Sequence, residues 1–173
     1  FASYYKKFGL TEPTQIDLEG EPLPVVKHPV KDKDKWYGTT VPWMSVGYEL
    51  QLTPLQVLTF YNGIANNGRV MKPYLVSSVM DNEVEIRKTA PVVLRDSILS
   101  SNTLLQLNTL LRAVVEKGTA SSIRSEQYSI SGKTGTAVTN YHLAGAEKKE
   151  FQASFCGFFP SEDPQYSCIV VIY

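Results

Sequence analysis

Apolar side chains recur at helical spacing in two stretches of the chain and at alternate positions in several others, and these two periods separate expected helices from expected strands. Thr53 precedes Pro54, and Leu55, Leu58, Tyr61, Ile64 and Ala65 follow on one face until Asn66-Asn67-Gly68 breaks the pattern. This predicts a capped helix with proline at its first position, where the missing amide hydrogen costs nothing. A second helix is predicted with its cap near Ser101 and its stop at Gly118, its core formed by Leu104, Leu105, Leu107, Leu110, Leu111, Val114 and Val115. Phe1 to Leu10 fits the end of a helix, with two lysines in the last turn and Gly9 as the stop; from there to Pro42 the chain reads as mostly irregular.

Residues 74–94 alternate around Asp81-Asn82, which predicts a small hairpin. Three strand-like runs close the chain, Tyr128 to Val138, Phe151 to Phe159 and Tyr166 to Tyr173, the last two joined by the turn-rich Pro160-Ser161-Glu162-Asp163-Pro164. With that turn centred near Glu162-Asp163, residues whose numbers sum to about 325 face each other, so Cys156 falls opposite Ile169. The expectation is two free, buried thiols, Cys156 and Cys168. Helices preceding a cluster of strands predict a mixed α/β fold in which helices pack on an antiparallel sheet.

Composition narrows the function classes. The 173 residues are 43% hydrophobic, enough for one compact domain. The 17 basic and 17 acidic residues cancel, so there is no electrostatic footprint for a nucleic-acid backbone or an anionic membrane. Lys31-Asp32-Lys33-Asp34-Lys35 alternates in sign and reads as a solvated loop. No apolar run approaches the ~20 residues of a membrane span. A start at Phe1 and an apolar run that stops at Tyr173 without a turn signal lead us to expect a domain cut at both ends. His28 and His142 have no ligand partner at zinc spacing and read as surface histidines, so neither metal nor cofactor is implied. Trp36, Tyr37, Trp43 and Tyr48 could line a groove, although packing is the commoner use of such aromatics.

Candidate chemistry lies in Ser129-Ile130-Ser131-Gly132-Lys133-Thr134-Gly135-Thr136-Ala137. On a strand, Lys133 and Gly135 point to one face and Thr134 and Thr136 to the other. Gly135 would let an extended peptide lie against the backbone as an added strand, and the hydroxyls and the lysine charge suit a carboxylate. A lone Lys-Thr-Gly is weak, but this tripeptide is the third element of serine penicillin-binding enzymes, whose nucleophile lies in a Ser-x-x-Lys.

The surrounding blocks make the resemblance specific. Ser45 to Gln56 (Ser-Val-Gly-Tyr-Glu-Leu-Gln-Leu-Thr-Pro-Leu-Gln), then Ile64-Ala65-Asn66-Asn67-Gly68 with Lys72-Pro73, Val114 to Ala120, Ser131 to Ala137 and Ala153 to Pro160 follow one another in the order found in monofunctional (class B) penicillin-binding proteins. Even Lys7-Phe8-Gly9-Leu10 is similar to the helix end that follows that family's Ser-x-Asn motif. Residues 1–173 therefore resemble the carboxy-terminal part of a penicillin-binding transpeptidase domain, which implies a β-lactamase/transpeptidase-like fold. The family's members cross-link peptidoglycan stem peptides ending in D-Ala-D-Ala through an acyl-serine, and β-lactam antibiotics acylate the same serine.

Carried over, the resemblance gives Lys133 the positive potential beside the nucleophile. It gives the Thr134 and Thr136 hydroxyls the substrate carboxylate, and the Thr136 amide one place in the oxyanion hole. Gly132 and Gly135 would permit close approach. It implies no cofactor and places the protein outside the cytoplasmic membrane, anchored by an upstream helix, with other wall-synthesis proteins left open as partners. Two serine motifs, Ser3-Tyr4-Tyr5-Lys6 and Ser100-Ser101-Asn102, are expected to be decoys, the first at a helix exit and the second a helix cap. The nucleophile is then upstream of this chain, and the chain alone is expected to be inactive. A D,D-carboxypeptidase or β-lactamase relative, and a catalytically dead module, stay open as alternatives, although Thr53-Pro54-Leu55-Gln56 argues against the first.

Overall fold

A computed structural model describes residues 2–139 and 149–173. The chain opens with α1 (Ala2–Lys7), whose last turn carries Lys6 and Lys7. Gly9, at φ +80°, lets the backbone fold back so that the Leu10 amide donates to the Tyr5 carbonyl (2.9 Å) and the Gly9 amide to that of Lys6 (3.1 Å). The following segment is less irregular than expected. Strand β1 (Val25–Val26) pairs with β2 (Leu50–Gln51), and between them lies α2 (Thr40–Ser45). Six residues are too few to show a helical period, and α2 is held by burial of Thr40 and Met44. The Tyr5 hydroxyl also donates to the Met44 carbonyl at 3.2 Å.

Helix α3 (Pro54–Ala65) begins in a reciprocal cap, with Thr53 Oγ1 accepting from the Gln56 amide and Gln56 Oε1 accepting from the Thr53 amide. Beyond its end, β3 (Val70–Met71) pairs with β6 (Val93–Arg95). The predicted hairpin lies between them as β4 (Ser78–Asp81) and β5 (Val84–Lys88). Its turn is Asn82-Glu83, one residue later than expected, because these two residues adopt the positive φ that a tight hairpin turn demands. The alternation beyond residue 88 belongs to β6, not to the hairpin.

Helix α4 (Ser101–Lys117) is capped by Ser100, whose Oγ accepts from the Thr103 amide. Leu104, Leu111 and Val115 are buried, but Leu105 and Leu110 are 69% and 64% exposed, so not all the leucines are core. They lie more than a quarter-turn off the line through Leu104 and Leu111, beyond the stripe that faces the sheet. Gly118 ends the helix by close approach rather than by handedness: a Cβ there would sit 2.8 Å from the Val114 carbonyl.

Strands β7 (Ser131–Val138), β8 (Phe151–Phe159) and β9 (Tyr166–Ile172) form one antiparallel sheet in that order. The first strand starts at Ser131, not at Tyr128, because the Ser129 carbonyl is taken by the Ser161 amide from the loop after β8. Cys156 faces Ile169 as the register argument required. The thiols differ, however. Cys156 is buried, whereas Cys168 is exposed, since it sits one position out of step and therefore on the opposite face.

Phe158 of β8, with no exposed surface, closes the core against Ile64 of α3 and Leu104 and Leu111 of α4. Asn62 of α3 reaches Ser167 of β9 at 3.2 Å on the same face. The whole is a mixed fold of helices on an antiparallel sheet. Truncation of Phe158 to alanine is expected to cost about 3 to 5 kcal/mol, measurable by chemical denaturation; a cost under about 1 kcal/mol would mean the helices do not depend on this contact.

Candidate functional site

The ladder fixes which backbone groups of β7 are spoken for. The Thr139 amide donates to the Glu150 carbonyl at 2.9 Å, so odd-numbered residues along this strand turn their backbone groups toward β8. Even-numbered residues, Thr134 and Thr136 among them, therefore turn theirs off the free edge. At Val138 that outward amide is donated to the Tyr48 hydroxyl at 3.1 Å, which stops the open edge there. Tyr48 is itself packed edge-to-face on Trp43, with ring centroids 5.0 Å apart.

The side chains divide as the strand period requires. Lys133 and Gly135 share a face with Ser154 and Cys156, over a cleft of about 200 Å³ that Pro54, Val57 and Tyr61 close from the α3 side. Thr134 and Thr136 lie on the other face. The Lys133 ammonium donates to the Thr134 carbonyl at 2.7 Å and, at longer range, to Thr134 Oγ1 at 3.4 Å. Thr134 Oγ1 also lies 2.8 Å from Thr119 Oγ1. Both glycines answer to β8 before any ligand. A Cβ on Gly135 would meet Ser154 Oγ at 2.6 Å, and one on Gly132 would meet the Phe155 ring at 2.4 Å.

A second set of contacts pins the approach to β7. Ser131 Oγ donates to Ser161 Oγ at 2.8 Å in a buried pair, and Glu162 accepts from both Ser129 Oγ and Arg112 of α4. The Ser129 hydroxyl and the Arg112 guanidinium hold the Glu162 carboxyl below the usual range. Loop, helix and strand are thus braced together just ahead of Lys133.

The profile of the penicillin binding protein transpeptidase domain matches residues 1–173. The chain belongs to that family. Penicillin-binding protein H of Bacillus subtilis is 32% identical to this chain over 181 residues, an alignment covering 98% of the chain and 24% of that protein. A peptidoglycan D,D-transpeptidase FtsI homolog of Mesostigma viride is 27% identical over 143 residues, or 74% of the chain and 23% of the relative. The crystal structure of penicillin-binding protein 3 from Mycobacterium tuberculosis complexed with aztreonam superposes with a TM-score of 0.79 at 27% identity, covering 98% of this chain and 38% of that one. The chain spans about a quarter of the length of the curated relatives it matches.

Both serine motifs lie at helices and not on β7. Ser3 and Lys6 are both exposed on α1. Ser100 Oγ is occupied at the start of α4, where it takes the Thr103 amide and also pairs with the Thr103 hydroxyl at 2.8 Å. His28 Nδ1 accepts from the Val30 amide at 3.2 Å and serves a turn; His142 lies outside the described residues. Among the described residues there is no group of three or more His, Cys, Asp or Glu able to hold a metal ion. Thr119, Ser154 and Tyr48 fall within the resembling blocks, but their contacts with β7 carry no signature in a single sequence, because each meets the strand only through tertiary packing.

Burial pushes the Cys156 thiol and the Tyr61 phenol in this cleft up to about 12 each, the former with a smaller contribution from Cys168. A thiol reagent at about pH 8 is therefore expected to modify Cys168 promptly and Cys156 only on unfolding. The same groups set an alkaline limit. Raised values mean that the unfolded chain releases these protons first, from the ordinary 9.0 and 10.0 upward. Their stability contribution is full below about pH 9 and is lost as pH rises toward about 12. Denaturant midpoints measured against pH check this; midpoints unchanged across that window would refute it.

Proposed function

We propose that the protein containing this chain is a serine D,D-transpeptidase of cell-wall synthesis and that this chain supplies its substrate-binding wall. The observation that carries the reading is the open edge of β7, where Thr134 and Thr136 turn their backbone groups outward beside the Lys133 ammonium. An extended peptide can add to that edge as a strand, with main-chain bonds for affinity and the threonine hydroxyls for its terminal carboxylate.

In this reading a serine outside the chain attacks the penultimate D-Ala carbonyl, and the Thr136 amide takes one of the two positions that stabilise the developing oxyanion. Lys133 lends positive potential to the nucleophile and the carboxylate. The leaving D-alanine is replaced by the amine of a neighbouring stem peptide, and a β-lactam imitates the donor and stops at the acyl stage. The proposed place of work is the outer face of the cytoplasmic membrane, with the anchor elsewhere in the parent protein. Residues 1–173 are then the carboxy-terminal part of the catalytic domain.

Incubation with a fluorescent penicillin is expected to label the full-length parent covalently and to leave this 173-residue chain unlabelled. Labelling of the chain that Ser3→Ala abolishes would reverse the decoy assignment. Thr136→Pro offers a sharper probe, because it deletes an outward amide that takes no part in the ladder. In the parent it should reduce acylation by about 100-fold or more while cooperative melting is retained. Unchanged acylation would remove Thr136 from the oxyanion hole.

A further inference from the structure

Thr119 belongs to the block Val114 to Ala120 but has been given no role, and its hydroxyl is 2.8 Å from that of Thr134. The backbone holds it there. Gly118 packs against the last turn of α4 so closely that a Cβ would meet the Val114 carbonyl, and the Ala120 amide returns to the same carbonyl at 3.1 Å. Ala120 is buried, so the residues on both sides of Thr119 are fixed while its own side chain stays exposed at the strand edge.

A threonine hydroxyl offers one proton and two acceptor sites. The Lys133 ammonium already lies within 3.4 Å of Thr134 Oγ1 as a donor. We propose that Thr119 is a positioning residue that fills the second acceptor site of Thr134 with its own proton, leaving the Thr134 proton directed at the ligand carboxylate. Donation from two sides also polarises the Thr134 O–H bond and strengthens the hydrogen bond it gives. Without Thr119 the Thr134 hydroxyl is free to rotate, and its proton has no fixed direction. This inference rests on the transpeptidase reading, in which Thr134 binds the carboxylate.

The test measures acylation of the full-length parent by benzylpenicillin and by its methyl ester, in the unaltered protein and in the Thr119→Val, Thr119→Ser, Thr134→Val and double-valine variants. Thr119→Val is nearly isosteric, and a melting curve checks that it folds. It should slow acylation by the free acid about tenfold, the effect of one lost hydrogen bond to a charged site, and leave the rate with the ester unchanged. Thr119→Ser should restore the rate to within about twofold, since the hydroxyl returns. The double-valine variant should be no slower than Thr134→Val alone, because the two residues act through one bond.

Acylation of Thr119→Val at the unaltered rate would overturn the inference, as would equal slowing with acid and ester or failure of the serine variant to rescue. If the unaltered parent is not acylated at all, the transpeptidase reading fails and this inference falls with it.

Discussion

The contact on which the rest depends is the burial of Phe158 where α3, α4 and the sheet converge. A ring with no exposed area on the central strand fixes both helices against one face. The antiparallel ladder then carries that constraint sideways to β7, residue by residue from Ser131 opposite Phe158 to Val138 opposite Phe151. The position of the Lys133 ammonium and the outward aim of the Thr136 amide thus follow from a hydrophobic contact one strand away. The brace of Ser129, Glu162 and Arg112 holds the approach to the same strand, so β7 is secured along its paired side and at its start while its other side pairs with no strand among the described residues.

Much of this was legible in the sequence, where local rules act alone. The cap at Thr53, the stop at Gly9 and the pairing of Cys156 with Ile169 all follow from residue type and spacing. Local rules fall short where a second element decides the outcome. Leucine spacing in α4 could not show how wide a stripe the sheet would cover, so Leu105 and Leu110 were assigned to a core they do not enter. The sequence leads to the expectation of a buried Cys168, whereas the register places it on the opposite face from Cys156. A six-residue helix such as α2 leaves no period to detect.

The candidate site shows the same division. Lys133, Thr134, Gly135 and Thr136 are contiguous, so their motif survives in one dimension. Their supports come from far along the chain: Tyr48 from the segment before α3, Thr119 from the exit of α4, Ser154 from the facing strand. Gly135 illustrates why a motif glycine needs a structure to interpret it. Openness toward a ligand is one reason for the residue, but the Ser154 hydroxyl already occupies the space that a side chain would need.

The outer edge of β7, which pairs with no described strand, has a consequence for the behaviour of the molecule in a crowded solution. Unpaired strand edges recruit the strands of other molecules, and natural sheets guard them with charge and with early termination. Here the Lys133 ammonium sits on the Thr134 carbonyl and the Tyr48 hydroxyl takes the Val138 amide, so a passing strand meets a cation at one point and an occupied donor at another. The residues that would welcome a short anionic peptide are thereby also the ones that turn away a long neutral strand, and the groove keeps itself available by being inhospitable to its own kind.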